Sequence, residues 1–407
     1  MVPCGKIPEK DRKVKPKNAG KTELNKPHQN PPPTVMKTRQ FSPAASALLC
    51  AAISIASFGA NELDAAWSLK AKDAPLQLIG FMGALDLSGI AMTGNQVVVV
   101  SDELTEVQGG MLNEARRSIV FNSAITLATP EPAAEKGGKK KVGGKKKNGG
   151  RKKVGEIDLE GACFAADESA FYVTGSHGVS KKKGDVQLPR YAVYRIPFDT
   201  AKGGMVPTEV TKSTLLPILE ASPQFKPFLR QPLQQNGFNV EGLAYAEGRL
   251  YFGVRGPNVD GSAFIIEVGA KEFFAASGAG VEPKVHAVPV GSGRGIRELV
   301  AVRGGFLMLT GTASAEATNL FTNSDAREDE ATFILSFLPS SGPRNIGKPE
   351  TVGDVSAPDG KAEGLLVLRD DDSAMEILVL HDGLEQGGAT GFTVHRPAKH
   401  VASAGKR

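Results

Sequence analysis

Three glutamates recur in one short phrase: Glu160 in IDLEGA, Glu241 in FNVEGL and Glu363 in KAEGLL, each followed by glycine. Ser88 in LDLSGI and Arg297 in RGIREL occupy the same place in two further copies. Carboxylates suit general acid/base work or a hard divalent cation such as calcium held by oxygen ligands. Gathered on one axis they repel one another unless a cation, protons or arginines compensate. Arg255 and Arg297 stand in the same repeats and could neutralise two of them.

The phrase belongs to a longer unit of apolar run, turn and second apolar run. It starts at Leu85, Ile157, Phe238, Arg294 and Lys361. Each unit reads as a β-hairpin, and a further strand-like run follows each one: RSIVFNSAITL, YAVYRIPFD, SAFIIEVG, ATFILSFL and GFTVHRP. TEVTKSTLL, KVHAVPV and NIGKPETV supply fourth strands to three units. Strands apolar enough to be covered on both faces, four to a unit, predict an all-β fold. That fold is a β-propeller of five four-stranded blades, with six as the alternative. The fifth unit lacks a fourth strand, so an N-terminal strand, LQLIGF before the first hairpin, is expected to close the ring. LLPILEASPQFKPFLRQP reads as a helical excursion in the longest interval.

Such a fold explains why polar residues repeat where they do. The start of each innermost strand and the end of its partner emerge on one rim of the central channel. Ser88, Glu160, Glu241, Arg297 and Glu363 should therefore form an inner ring, with Asp102, His177, Arg255, Thr310 and Asp382 just outside it. Residues equidistant from each turn should face each other. On that count Glu241 meets Arg255, Glu160 meets His177, Glu363 meets Asp382, Ser88 meets Asp102 and Arg297 meets Thr310. Glu160, Glu241 and Glu363 are the candidate metal ligands, and with His177 the catalytic candidates. Arg255, Arg297, Asp102 and Asp382 are the candidate ligand-binding residues. Ser176 and His177 are a poor nucleophile and base pair, because adjacent strand residues point to opposite faces.

Composition sets the remaining bounds. Residues 1–35 are rich in Lys and Pro, a composition of disorder, and Met36 reads as the true start. Residues 36–66 then have the layout of a secretory signal peptide, which predicts a periplasmic or secreted protein; an anchor over residues 44–60 is the alternative. The propeller domain should span residues 67–398, followed by a tail at 399–407. A Lys/Gly-rich insert at 131–155 carries ten Lys/Arg against two Asp/Glu, and residues 1–39 carry ten against three. Removing those +8 and +7 contributions from the formal +5 leaves −10, so the folded body is acidic. The insert lacks aromatics to stack on bases and reads as a flexible loop without specific nucleic-acid recognition. Cys163 alone would remain after leader cleavage, which excludes a disulfide framework. A monomer with a small-molecule or protein ligand at the channel mouth, and no stable membrane span after cleavage, is expected.

NGFNVEGLAYAEGRLYFGVRGP, IDLEGACFAADESAFYVTGSHG and GRGIRELV resemble the signature segments of a bacterial family termed domain of unknown function three-six-one-six. The resemblance spans about Leu76 to Pro397 and transfers no catalytic residue. A weaker similarity of the EG-bearing hairpins is to esterase-like phytase and metal-dependent lactonase propellers. It implies a divalent-metal-dependent hydrolase as one expectation. A non-catalytic ligand- or protein-binding scaffold is the other.

Overall fold

Each unit of apolar run, turn and apolar run folds as an antiparallel hairpin at one edge of its own sheet, and the sheets among the described residues number five. A computed structural model describes residues 66–72, 76–80, 87–113, 118–127, 157–180, 184–313, 332–342 and 345–398. The insert at 131–155, the tail at 399–407 and all but the last residue of the leader lie outside the described residues.

The chain begins with β1 (Ser68–Ala71) and β2 (Gln77–Ile79). Blade 1 contains β3 (Leu87–Thr93), β4 (Gln96–Ser101), β5 (Glu106–Leu112) and β6 (Ser118–Thr126). Blade 2 contains β7 (Leu159–Ala165), β8 (Ala170–Gly175) and β9 (Val193–Asp199), with β10 (Gly204–Met205) and β11 (Thr211–Ser213) both against β9. Blade 3 runs β12 (Asn239–Ala246), β13 (Arg249–Val259), β14 (Ser262–Gly269) and β15 (Lys284–Pro289). Blade 4 runs β16 (Arg294–Val302), β17 (Gly305–Thr312), β18 (Ile334–Pro339) and β19 (Glu350–Asp354). Blade 5 is β20 (Lys361–Asp370), β21 (Ala374–Asp382) and β22 (Thr390–His395), completed by β1. Five blades suffice for this all-β propeller, and the six-blade alternative is not needed.

Two strands differ from expectation. An N-terminal strand does close the ring, but it is β1, in register from Ser68 opposite His395 to Ala71 opposite Phe392. The LQLI stretch instead forms β2, parallel to β6 on the outer edge of blade 1. RSIVFNSAITL is the fourth strand of blade 1, because EVQGGML supplies the third. Gly109 and Gly110 disguise that strand, and the chain bends there in a register shift opposite Ser123 and Phe121.

The apolar runs are buried on both faces because each blade packs between two others. Val98, Val100 and Val107 of blade 1 meet Leu159, Phe171 and Ile196 of blade 2, all at most 2 % exposed. Leu307 and Phe337 of blade 4 meet Leu365 and Ile377 of blade 5 in the same way. Burying one such side chain contributes about 1.5–3 kcal/mol, so the blade interfaces dominate stability. The predicted helical excursion holds one α-helix, α1 (Leu216–Ala221), and a 3-10 turn at Lys226–Phe228, and a second 3-10 turn follows it at Leu233–Gln235. A second helix, α2 (Ala270–Ala275), lies between β14 and β15, where Phe273 is buried against Phe252 at 5.9 Å between ring centroids.

Candidate active site at the channel mouth

Every innermost strand breaks register at the same residue of its repeat. The shifts fall between Leu87 and Gly89, Leu159 and Gly161, Val240 and Gly242, Ile296 and Glu298, and Ala362 and Gly364. The skipped residues are Ser88, Glu160, Glu241, Arg297 and Glu363, the expected inner ring. A bulge adds one residue on one strand and re-aims its side chain. These five positions are therefore set by backbone geometry, and the direct cross-strand pairing expected from turn spacing fails there. Val240, not Glu241, pairs with Val254, while Lys361, not Glu363, pairs with Asp382.

The glycine after the bulge has a packing cause. A Cβ on Gly161 would lie 2.6 Å from the Glu241 carbonyl oxygen, and one on Gly89 would lie 2.3 Å from that of Glu160. Neighbouring innermost strands approach too closely for any side chain there. Blade 4 departs from the pattern with Glu298, whose Oε1 accepts from the backbone N–H of Leu243 at 3.1 Å and Leu299 at 2.9 Å. Burial pushes the Glu298 carboxyl well up, and its two backbone hydrogen bonds oppose the shift only in part.

Arginines neutralise two of the three glutamates. Arg255 Nη1 donates to Glu241 Oε1 at 2.5 Å. Arg297 Nε lies 2.9 Å from Glu241 Oε2, an ion pair whose geometry is too bent for a hydrogen bond. The other end of Arg297 pairs with Glu363. Arg297 is 1 % exposed, and burial together with Arg255 lowers its guanidinium to about 10. Glu160 receives no such partner: it makes no hydrogen bond or ion pair among the described residues. Burial, with Glu241, Asp158 and Asp102 nearby, pushes its carboxyl well up, and Arg255 opposes the shift only in part.

The ring opens on a mouth of about 820 Å³ that Glu160, Glu241, Glu363, Arg255, Asp102 and Asp382 all line. His177 does not reach it. Its Nδ1 donates to the Gly175 carbonyl at 2.8 Å and its Nε2 accepts from Leu215 N–H at 3.4 Å, which fixes one neutral tautomer. Burial lowers the imidazole to about 4. The expected Glu160–His177 pair is therefore absent, because the chain turns at His177 with φ 55 and carries the ring under Tyr191. Among the described residues no group of three or more His, Cys, Asp or Glu side chains stands in metal-holding geometry. Arg297 pairs with both Glu241 and Glu363.

Sequence reasoning missed Asp158, Asn239 and Lys361, which also line the mouth. Each lies two residues before a ring glutamate, so the period-two alternation of a strand was the signal that could have found them. Asp158 accepts from Arg190 Nη1 at 2.9 Å, and Lys361 Nζ donates to Asp382 Oδ2 at 3.2 Å.

Fold and site together define a five-bladed β-propeller with a polar, carboxylate-rich channel mouth. Residues 187–391 match the family described as Protein of unknown function (DUF3616), and the chain belongs to it. No curated protein matches the chain in sequence. Among solved structures it is similar to Myxococcus xanthus glutaminyl cyclase at 11 % identity and TM-score 0.39, covering 81 % of this chain and 98 % of that one. A GH43 β-1,3-galactosidase is similar at 8 % identity and TM-score 0.42, over 79 % of this chain and 94 % of that one. A Trichoderma reesei carbohydrate-active enzyme of family AA12 is similar at 8 % identity and TM-score 0.37, over 81 % and 95 %. Likenesses this distant assign no activity. No helix among the described residues is long and apolar enough to cross a membrane.

Proposed function

We propose that the channel mouth is a small-molecule site and that the protein is a hydrolase in which Glu160 exchanges the proton. One observation carries this: a buried carboxyl, held toward its protonated form and without a hydrogen-bond partner among the described residues, faces a walled mouth beside a carboxylate paired with arginines. Neighbouring carboxyls in unlike environments are what general acid/base chemistry requires. Arg255, on Glu241 and at the mouth, would orient the bound ligand.

The test is a turnover screen of the full chain with chromogenic esters, lactones, phosphate esters and glycosides. Glu160→Gln should cost roughly 10²–10⁴-fold in kcat. Binding at the mouth without turnover of any class would leave a non-catalytic ligand-binding propeller.

A divalent cation such as calcium is a second reading, favoured by the surplus of eight Asp and Glu over three Arg and Lys along the mouth. A calcium-dependent rise in melting temperature that shrinks in Glu160→Gln, Glu241→Gln and Glu363→Gln supports it; no response to calcium or chelator removes it. Export is part of the same proposal, and sequencing the N-terminus of protein from its native host tests it: an intact Met1 or Met36 end would count against it.

A further inference from the structure

We propose that the ligand of this mouth is an organic cation: a short carbon skeleton carrying an amine or guanidine group. The proposal rests on the mouth being the ligand site and adds the chemical class that it selects.

Charge comes first. Eight carboxylic side chains line the mouth against three cationic ones, and each of the three already faces a carboxylate. Arg190 meets Asp158 at 2.9 Å, Arg255 meets Glu241 at 2.5 Å and Lys361 meets Asp382 at 3.2 Å. An anionic ligand would have to break one of these pairs and then face the surplus carboxylates. A cationic ligand disturbs none of them, and the surplus attracts it.

Hydrogen bonding points the same way independently. Asn239 is 6 % exposed, lines the mouth, and its Oδ1 accepts from no donor among the described residues. A buried acceptor left without a donor costs about 1–3 kcal/mol, so this one is recovered when a ligand N–H reaches it. Glu160, 8 % exposed on the neighbouring blade, is a second acceptor without a partner among the described residues. The site offers acceptors and asks for donors.

Shape distinguishes an organic cation from a bare metal ion. The mouth holds about 820 Å³, far more than one ion fills, and Val179, Leu233, Phe238 and Phe333 give it apolar walls. Carbon between or beside the amino groups would cover those walls while the nitrogens reach the acceptors.

Calorimetric titration of the full chain with 1,4-diaminobutane, with butane-1,4-diol as its neutral counterpart and with inorganic phosphate, tests the class. The diamine should bind at least about tenfold more tightly than the diol, phosphate should not compete, and diamine affinity should fall as salt rises from low to physiological strength. Asn239→Leu and Glu160→Gln should each weaken the diamine about tenfold or more. Asn239→Asp should tighten it, an opposite sign that misfolding cannot produce. The exposed Glu209→Gln should change nothing. If the diol or phosphate equals the diamine while Asn239→Leu still weakens the better ligand, the site stands and the cationic class is overturned. If no Asn239 or Glu160 variant alters any binding, the mouth itself is not the ligand site and both readings fall.

Discussion

Arg297 and Glu241 meet at 2.9 Å inside the ring, with Arg297 side-chain exposure at 1 % and Glu241 at 5 %. Removing one partner of a buried ion pair strands the other charge, which costs about 3–5 kcal/mol. Glu241→Gln should therefore lower stability by about 3 kcal/mol, with or without chelator, and chemical denaturation of the two proteins measures it. An unchanged midpoint would mean that the arginines are satisfied elsewhere.

Glu160→Gln should act in the opposite direction. The unfolded carboxyl ionises near 4.5, whereas the folded one holds its proton to higher pH. The unfolded state therefore binds fewer protons above that value, and this group's contribution falls as pH rises. Replacing it should be neutral at pH 5 and stabilising at pH 8. Parallel melts at both pH values check the sign, and destabilisation at pH 8 would refute the electrostatic account.

His177 gives a second pH signature. Its folded value is about 4 against an ordinary 6.5, so the unfolded state binds more protons in that interval. Stability from this group is complete above about 6.5 and is lost as pH falls toward about 4, on the order of 3 kcal/mol in all. His177→Asn should flatten the stability profile over that interval while lowering stability at neutral pH.

Gly161→Ala tests the approach of the strands. The new Cβ would meet the Glu241 carbonyl oxygen at 2.6 Å, and backbone must move to admit it. A loss of about 1–3 kcal/mol is expected. A change below a few tenths would show that the neighbouring strands separate freely.

The ring was legible because its residues repeat in sequence: xEG before an apolar run marked Glu160, Glu241 and Glu363, and the same frame found Ser88 and Arg297. The mutual contacts were less legible, because a bulge shifts pairing by one and turn counting assumes an unbroken ladder. His177 was misplaced for a related reason: a single residue at positive φ leads the chain away from the rim. The strand β5 was hidden by two adjacent glycines, residues that weaken any strand pattern. The identity of β1 was hidden by its sequence, SLKA, too short and polar to stand out beside LQLIG.

Strand β1 has a consequence for how the protein is made. It leaves the ribosome well before its partner β22, which ends at His395. At about 5–20 residues per second the wait between them lasts on the order of tens of seconds, with Leu69 and Trp67 deprived of their place against blades 4 and 5 throughout. Blades 1 to 4 can assemble during synthesis, but the ring locks only when β22 has been made. A nascent chain stalled before Thr390 should therefore hold an open ring, sensitive to protease at residues 66–72 and protected there once β22 has emerged.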